Sequence, residues 1–232
     1  MNIDIKSQLE RAKELKKELE KSCNKDLKSK TISNKTRNLA QEILIKIRSI
    51  LDQTMYQFFK KEIIPILSQD EIKKARVYFP LVSKKENLTS ALGRSMIKSL
   101  DKTHPKIYSF LVSVQPYNKD YSWLNNLSKY ANEKHIRLTP QKRTEIKRTI
   151  VTNNKGGSVS WGQGVRFGKG VSIMGAPVNP VTQNIEPTPN VESKTEVWVS
   201  FLFSDSNVNV LWLCNKSIEE SEKLIKEFFS LF

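Results

Sequence analysis

Two cysteines and two histidines are all that the 232 residues contain of either type. Cys23 and Cys214 are far apart in the chain and make no disulfide framework, which fits a reducing, cytoplasmic setting. Together with His104 and His135 they show no zinc-ligand spacing, and the acidic residues form no metal motif, so neither metal nor cofactor is expected. No run of eighteen apolar residues occurs, and residues 1–30 form a charged stretch without a signal-peptide centre. A membrane-spanning or secreted chain is therefore not expected. Glycine is nearly absent from the first two thirds, since seven of the eight lie between Gly156 and Gly175. Leu, Ile, Val and Phe still make up 28% of the residues. That exceeds the roughly 20% below which a charged chain usually stays disordered, and a lean folded core follows.

Charge is plentiful and unevenly placed. The chain carries a formal +15, with 32 basic and 16 acidic residues in 1–150 but 7 and 8 in 151–232. The densest stretch runs from Lys129 to Arg148. A basic excess confined to one region attracts polyanions, nucleic acid above all, through counterion release. Lys129, Lys134, Arg137, Arg143, Lys147 and Arg148 are the expected phosphate contacts. The alternative is that these side chains simply solvate helix surfaces.

Periodicity divides the chain. Ile5, Leu9, Ala12, Leu15 and Leu19 predict an amphipathic helix over about 4–22, able to serve as a coiled-coil arm for a protein partner or a second copy. Leu39, Ile43, Leu44, Ile47, Leu51, Met55 and Phe58 predict a stronger helix over 36–60, closed by Pro65. Ser83 and Glu86 have capping-box spacing before Leu88, Leu92, Met96 and Leu100. Further helical stripes follow Pro105 and Trp123, the last ending near His135. Beyond the boundary near 139–144 the pattern changes. Residues 196–215 alternate about 205–207 and predict a hairpin. Ser217 and Glu220 would then open a closing helix. The expected fold is α+β: an arm (1–30), a basic helical bundle (31–143), and a glycine-rich β domain with a C-terminal helix (144–232).

Within the glycine-rich segment, Val159-Ser160-Trp161-Gly162-Gln163-Gly164 is followed by Val165-Arg166-Phe167-Gly168-Lys169-Gly170. Short strands alternating with glycine turns would place Val and the bulky residue on one face. A phosphate loop is excluded by spacing: five and three residues separate Gly162 and Gly164 from Gly168-Lys169, where four are needed. No helix pattern follows that could hold a pyrophosphate.

Two constellations could carry chemistry. Arg48 and Asp52 stand one helical turn apart at the edge of the buried stripe of the second helix. They read either as an ion pair fixing helix packing or as a guanidinium, that of Arg48, addressing phosphate or a transition-state charge. Gln115-Pro116-Tyr117 and Asn132-Glu133-Lys134-His135 form the second group, in which His135 reads either as a helix-terminus cap or as a general acid or base beside cations. No nucleophile-elbow sequence accompanies them.

Arg48-Ser49-Ile50-Leu51-Asp52, Tyr78-Phe79-Pro80, Gln115-Pro116-Tyr117 and Asn132-Glu133-Lys134-His135 follow the order seen in a broad family of uncharacterised bacterial proteins, a resemblance over residues 37–143. The helical half also resembles HEPN-type domains, helical bundles of bacterial toxins and antiviral ribonucleases whose signature is Arg, four to six residues, then His. The resemblance implies a helical bundle, RNA as ligand, and a defence or toxin–antitoxin setting. Here Gln53, Thr54 and Met55 stand where that His would follow Arg48, so an enzyme of that type is not expected. The leading expectation is RNA or DNA binding through the helical half. The alternatives are a scaffold subunit without nucleic acid and an unconventional ribonuclease using Arg48, Asp52 and His135.

Overall fold

Residues 2–133 and 138–232 are described by a computed structural model. Asn2 caps the first helix, α1 (Ile3–Ser29), by accepting from the Asp4 amide. Ser33 does the same for α2 (Asn34–Phe58) through the Thr36 amide. The reversal between them is tied by the buried Asp26, whose carboxylate accepts from the Ser33 amide at 2.8 Å and the Thr36 hydroxyl at 2.6 Å. A carboxylate at a helix N-terminus is favoured by the orphan amides and the dipole there. Residues 24–38, although mostly polar, are therefore largely helical, with a four-residue turn at 30–33.

The helix α2 is the axis of the core. Ile43, Leu44, Ile47, Ile50, Leu51, Met55 and Phe58 are fully shielded, and α2 packs against α1, α7 (Trp123–Asn132) and α8 (Val210–Phe229). The apolar stripe of α1 is covered by α2 and α8 of the same chain. It is not the free arm that its periodicity suggests.

Between α2 and α7 the helices are short: α3 (Gln69–Lys74), α4 (Asn87–Arg94), α5 (Leu100–Thr103) and α6 (Pro105–Ser113). The capping box forms at Ser68 and Glu71, not at Ser83 and Glu86. The single helix expected through Leu100 breaks because Met96 and Ser99 adopt left-handed φ values of 57° and 53°. An extended run from Ala75 to Val82 crosses α2 before α4 begins.

The strands are β1 (Gln141–Asn153), β2 (Ser158–Gly162), β3 (Ser172–Ile173), β4 (Ala176–Pro177) and β5 (Val191–Phe203). The main sheet has the order β2-β1-β5, and β3 and β4 pair separately. Gly156 supplies the positive φ of 82° that the β1–β2 turn requires. The result is an α+β chain, helices first, then strands, then a helix.

The domain division differs from the sequence reading. One unit comprises Met1–Lys142 with Leu202–Phe232, the other Arg143–Phe201. The last helix thus belongs to the helical unit, where Val210, Leu213, Cys214, Ile218, Leu224, Ile225 and Phe228 are buried. The hairpin expected over 196–215 is corrected as well. Its second strand is the first turns of α8, capped by the Asn209 side chain, and a lone bridge joins Leu202 to Asn209. The five-residue apolar run at 210–214 fits either period, and packing against α2 decides for the helix. Ser217, expected as a cap, lies inside α8 and is buried.

Candidate nucleic-acid interface

Arg48 and Asp52 occupy successive turns of α2, and their side chains meet at 2.9 Å. Both reach the same residue of the extended run. Arg48 Nη2 donates to the Phe79 carbonyl at 3.0 Å, and the Phe79 amide donates to Asp52 Oδ1 at 2.9 Å. The pair thus supplies Phe79 with what a neighbouring strand would supply, one donor and one acceptor. Gln115 repeats the device three residues on. Its amide donates to the Pro80 and Leu111 carbonyls at 2.9 and 2.8 Å, and its oxygen accepts from the Val82 amide at 2.9 Å. Tyr117 and Asn118 satisfy the carbonyls of Val112 and Ser113 at the end of α6.

Three of the four motifs that stood out in the sequence are thereby joined in one backbone clamp. Burial pulls the Arg48 guanidinium below its ordinary value, with Asp52 opposing that pull. His135, Lys134 and Arg137 lie outside the described residues. The described histidine, His104, packs edge-on against Phe58 at 5.3 Å and bonds Thr103. Among the described residues no cluster of His, Cys, Asp and Glu could hold a metal ion, and no helix is long and apolar enough to cross a membrane.

The expected phosphate contacts fall in both units. Lys129, in the helical unit, is ion-paired with Asp205 and lies over the Tyr130 ring. Arg143, Lys147 and Arg148 belong to the β unit rather than to the helical half. Arg143 is ion-paired with Glu145 and is mostly buried. Lys147 and Arg148 are consecutive in β1, so they leave opposite faces of the sheet. Arg148 bonds Ser160 and sits 6.0 Å from the Trp198 ring. Lys147 is exposed on the other face, two residues from Thr149, which pairs with Trp161 across the strands.

On the Lys147 face the β unit has a concavity of about 690 Å³ lined by Lys147, Thr149, Trp161, Arg166, Gln183 and Thr195 among others, with no carboxylate in the lining. Its wall is built from the glycine-rich repeat. The first repeat forms β2 and places Val159 and Trp161 on one face. The second forms no strand, yet its Phe167 meets Trp161 edge to face at 5.0 Å. Gln183 pins that loop, accepting from the Phe167 amide at 2.8 Å and donating to the Pro180 carbonyl. Sequence reading marked Lys147 but missed Trp161, Arg166 and Gln183. The available signal was the six-residue spacing of Trp161 and Phe167, which brings the two rings together.

No protein-family model matches the chain, and neither the curated proteins nor the solved structures contain a match to it.

Proposed function

We propose that the chain binds single-stranded nucleic acid on the Lys147 face of its β unit. The observation that carries this reading is the concavity itself: two exposed cations, an indole ring and side-chain amides share one face without a carboxylate. Cations that track phosphates and a ring on which a base stacks are the two parts of sequence-tolerant single-strand recognition. A net charge of +3 on residues 143–201 and +12 on the rest of the chain adds long-range attraction.

Within this reading the helical unit is a HEPN-like bundle and a relative of the broad bacterial family named above, in a defence or toxin–antitoxin setting. RNA cleavage is not part of the proposal. Arg48 is engaged by Phe79 and Asp52, and no histidine follows it at HEPN spacing. A second reading, a protein-interaction subunit, draws on the opposite sheet face, where Trp198 and Ile146 are about half exposed.

The test is fluorescence anisotropy of labelled single-stranded RNA and duplex DNA across a salt series. Single strands should bind with a steep salt dependence, weakened by K147Q/R166Q and by Trp161→Ala but not by Trp198→Ala. Binding that ignores the first two substitutions and fails with the third would move the nucleic-acid site to the opposite face, and no binding even at low salt would favour the protein-interaction reading.

A further inference from the structure

Three arginines converge in the helical unit beside the Arg48–Asp52 clamp. A cavity of about 310 Å³ is lined by Arg48, Arg76, Tyr78, Pro80, Ala91, Arg94 and Ser95, again without a carboxylate. Its walls are fixed by backbone. The Arg76 amide donates to the Arg94 carbonyl at 3.2 Å, and the Ser95 hydroxyl donates to the Arg76 carbonyl at 2.9 Å. The run between Arg76 and Pro80 is held at its far end by the Arg48–Asp52 clamp. Arg76 and Arg94 are both exposed, and among the described residues neither has an ion-pair partner. Arg48 is different: its Nη1 is shielded from solvent and has no hydrogen-bond partner. A buried donor without a partner is costly unless a ligand or an ordered water meets it. Tyr78, 59% exposed, presents its ring at the rim.

We propose that this cavity is a binding site for a terminal phosphoryl group on a base-bearing ligand, either a mononucleotide or the phosphorylated end of a nucleic-acid strand. Guanidinium forks match phosphate oxygens in pairs. Two of them, on Arg76 and Arg94, together with the unpartnered Nη1 of Arg48, whose Nη2 is already held by Phe79 and Asp52, suit a phosphomonoester dianion better than the single charge of a backbone diester. The volume lies at the small end of ligand pockets, enough for a phosphoryl group and part of its sugar. Tyr78 offers the face on which the adjoining base rests. The site is independent of the Lys147 face, which lies in the other unit.

Four probes test it: AMP and adenosine by titration calorimetry, and an RNA octamer with a 5′-phosphate or a 5′-hydroxyl by anisotropy. At least one phosphorylated probe should bind roughly tenfold to a hundredfold more tightly than its unphosphorylated twin. R76Q/R94Q should erase that preference, and K25Q/K28Q, which removes two exposed charges of α1, should leave it intact. Tight AMP binding identifies a mononucleotide site, and preference confined to the RNA identifies a strand end. The K147Q/R166Q variant separates the two proposals, because it lowers overall RNA affinity while leaving the 5′-phosphate preference unchanged. Equal binding of each pair, or a preference that survives R76Q/R94Q, overturns the proposal.

Discussion

In the helical unit the conspicuous polar side chains are spent on the chain's own backbone, whereas in the β unit they face outward. Arg48, Asp52 and Gln115 supply donors and acceptors to Phe79, Pro80 and Val82. Lys147, Arg166 and Trp161 line an open concavity instead. The apolar residues divide in parallel. Of the 44 buried hydrophobic residues among those described, only Val151, Ala176, Val178 and Phe201 lie in residues 143–201. A large core must tie down every segment that crosses it without secondary structure, because an unpaired buried amide is expensive. A thin sheet has little interior to satisfy, so its polar and aromatic residues remain available to a ligand. Unusual polar residues beside a strong helical stripe are therefore better read first as backbone partners.

Gln115→Ala is the severest way to probe that division. It strips partners from the Val82 amide and the Pro80 carbonyl, and should cost about 3–5 kcal/mol in denaturant unfolding while RNA affinity of the folded fraction is unchanged. A loss below about 1 kcal/mol would show that the clamp matters little to stability. Substitution in the β unit should behave in the reverse manner. Combining K147Q/R166Q with Trp161→Ala should weaken single-strand binding about a hundredfold, with unfolding shifted by less than about 1 kcal/mol.

The thiols sharpen the contrast from inside the core. Burial pushes Cys23 up to about 12 and Cys214 up as well, and both are free and shielded. Neither should react with iodoacetamide at pH 8 in the native protein, and both should react once it unfolds. Rapid native labelling would mean that the α1–α2–α8 core opens readily.

The smallest effect belongs to Lys129, a predicted phosphate contact that pairs with Asp205. Lys129 holds the Asp205 carboxyl below its usual range. The pair's contribution is therefore present above the unfolded value, near 4, and is lost as pH falls through the folded one. Because both side chains are over two-fifths exposed, Lys129→Gln should cost under about 1 kcal/mol at neutral pH. Acid titration of stability should then lose part of its slope below pH 4.

The helices were legible because burial repeats at three and four residues: the stripes of α1 and α2 are the buried residues seen in the structure. Their partners were not legible, since nothing local says that α1 packs on the chain's own α2 and α8. The start of α8 was misread because a short apolar run between turns carries no period of its own. Arg48 and Asp52 were visible as a pair. Their purpose was not, because Phe79 lies 27 residues beyond Asp52 and Gln115 lies 36 beyond Phe79. Lys147 was visible as charge, but its companions Trp161 and Arg166 come together with it only through strand pairing and the return of the glycine-rich loop. Arg76 and Arg94 gave no signal, being ordinary surface arginines until a backbone bond brings them side by side.

The β unit is inserted between α7 and α8, which has a consequence for synthesis. When Lys142 leaves the ribosome, α1, α2 and α7 are complete, yet the helix that covers them begins only at Val210. At about 5–20 residues per second, the 87 residues from there to the end of α8 at Phe229 need roughly 4–17 s. For that interval the faces of α1, α2 and α7 that pack against α8 lack their cover, and exposed apolar surface of that kind is prone to association.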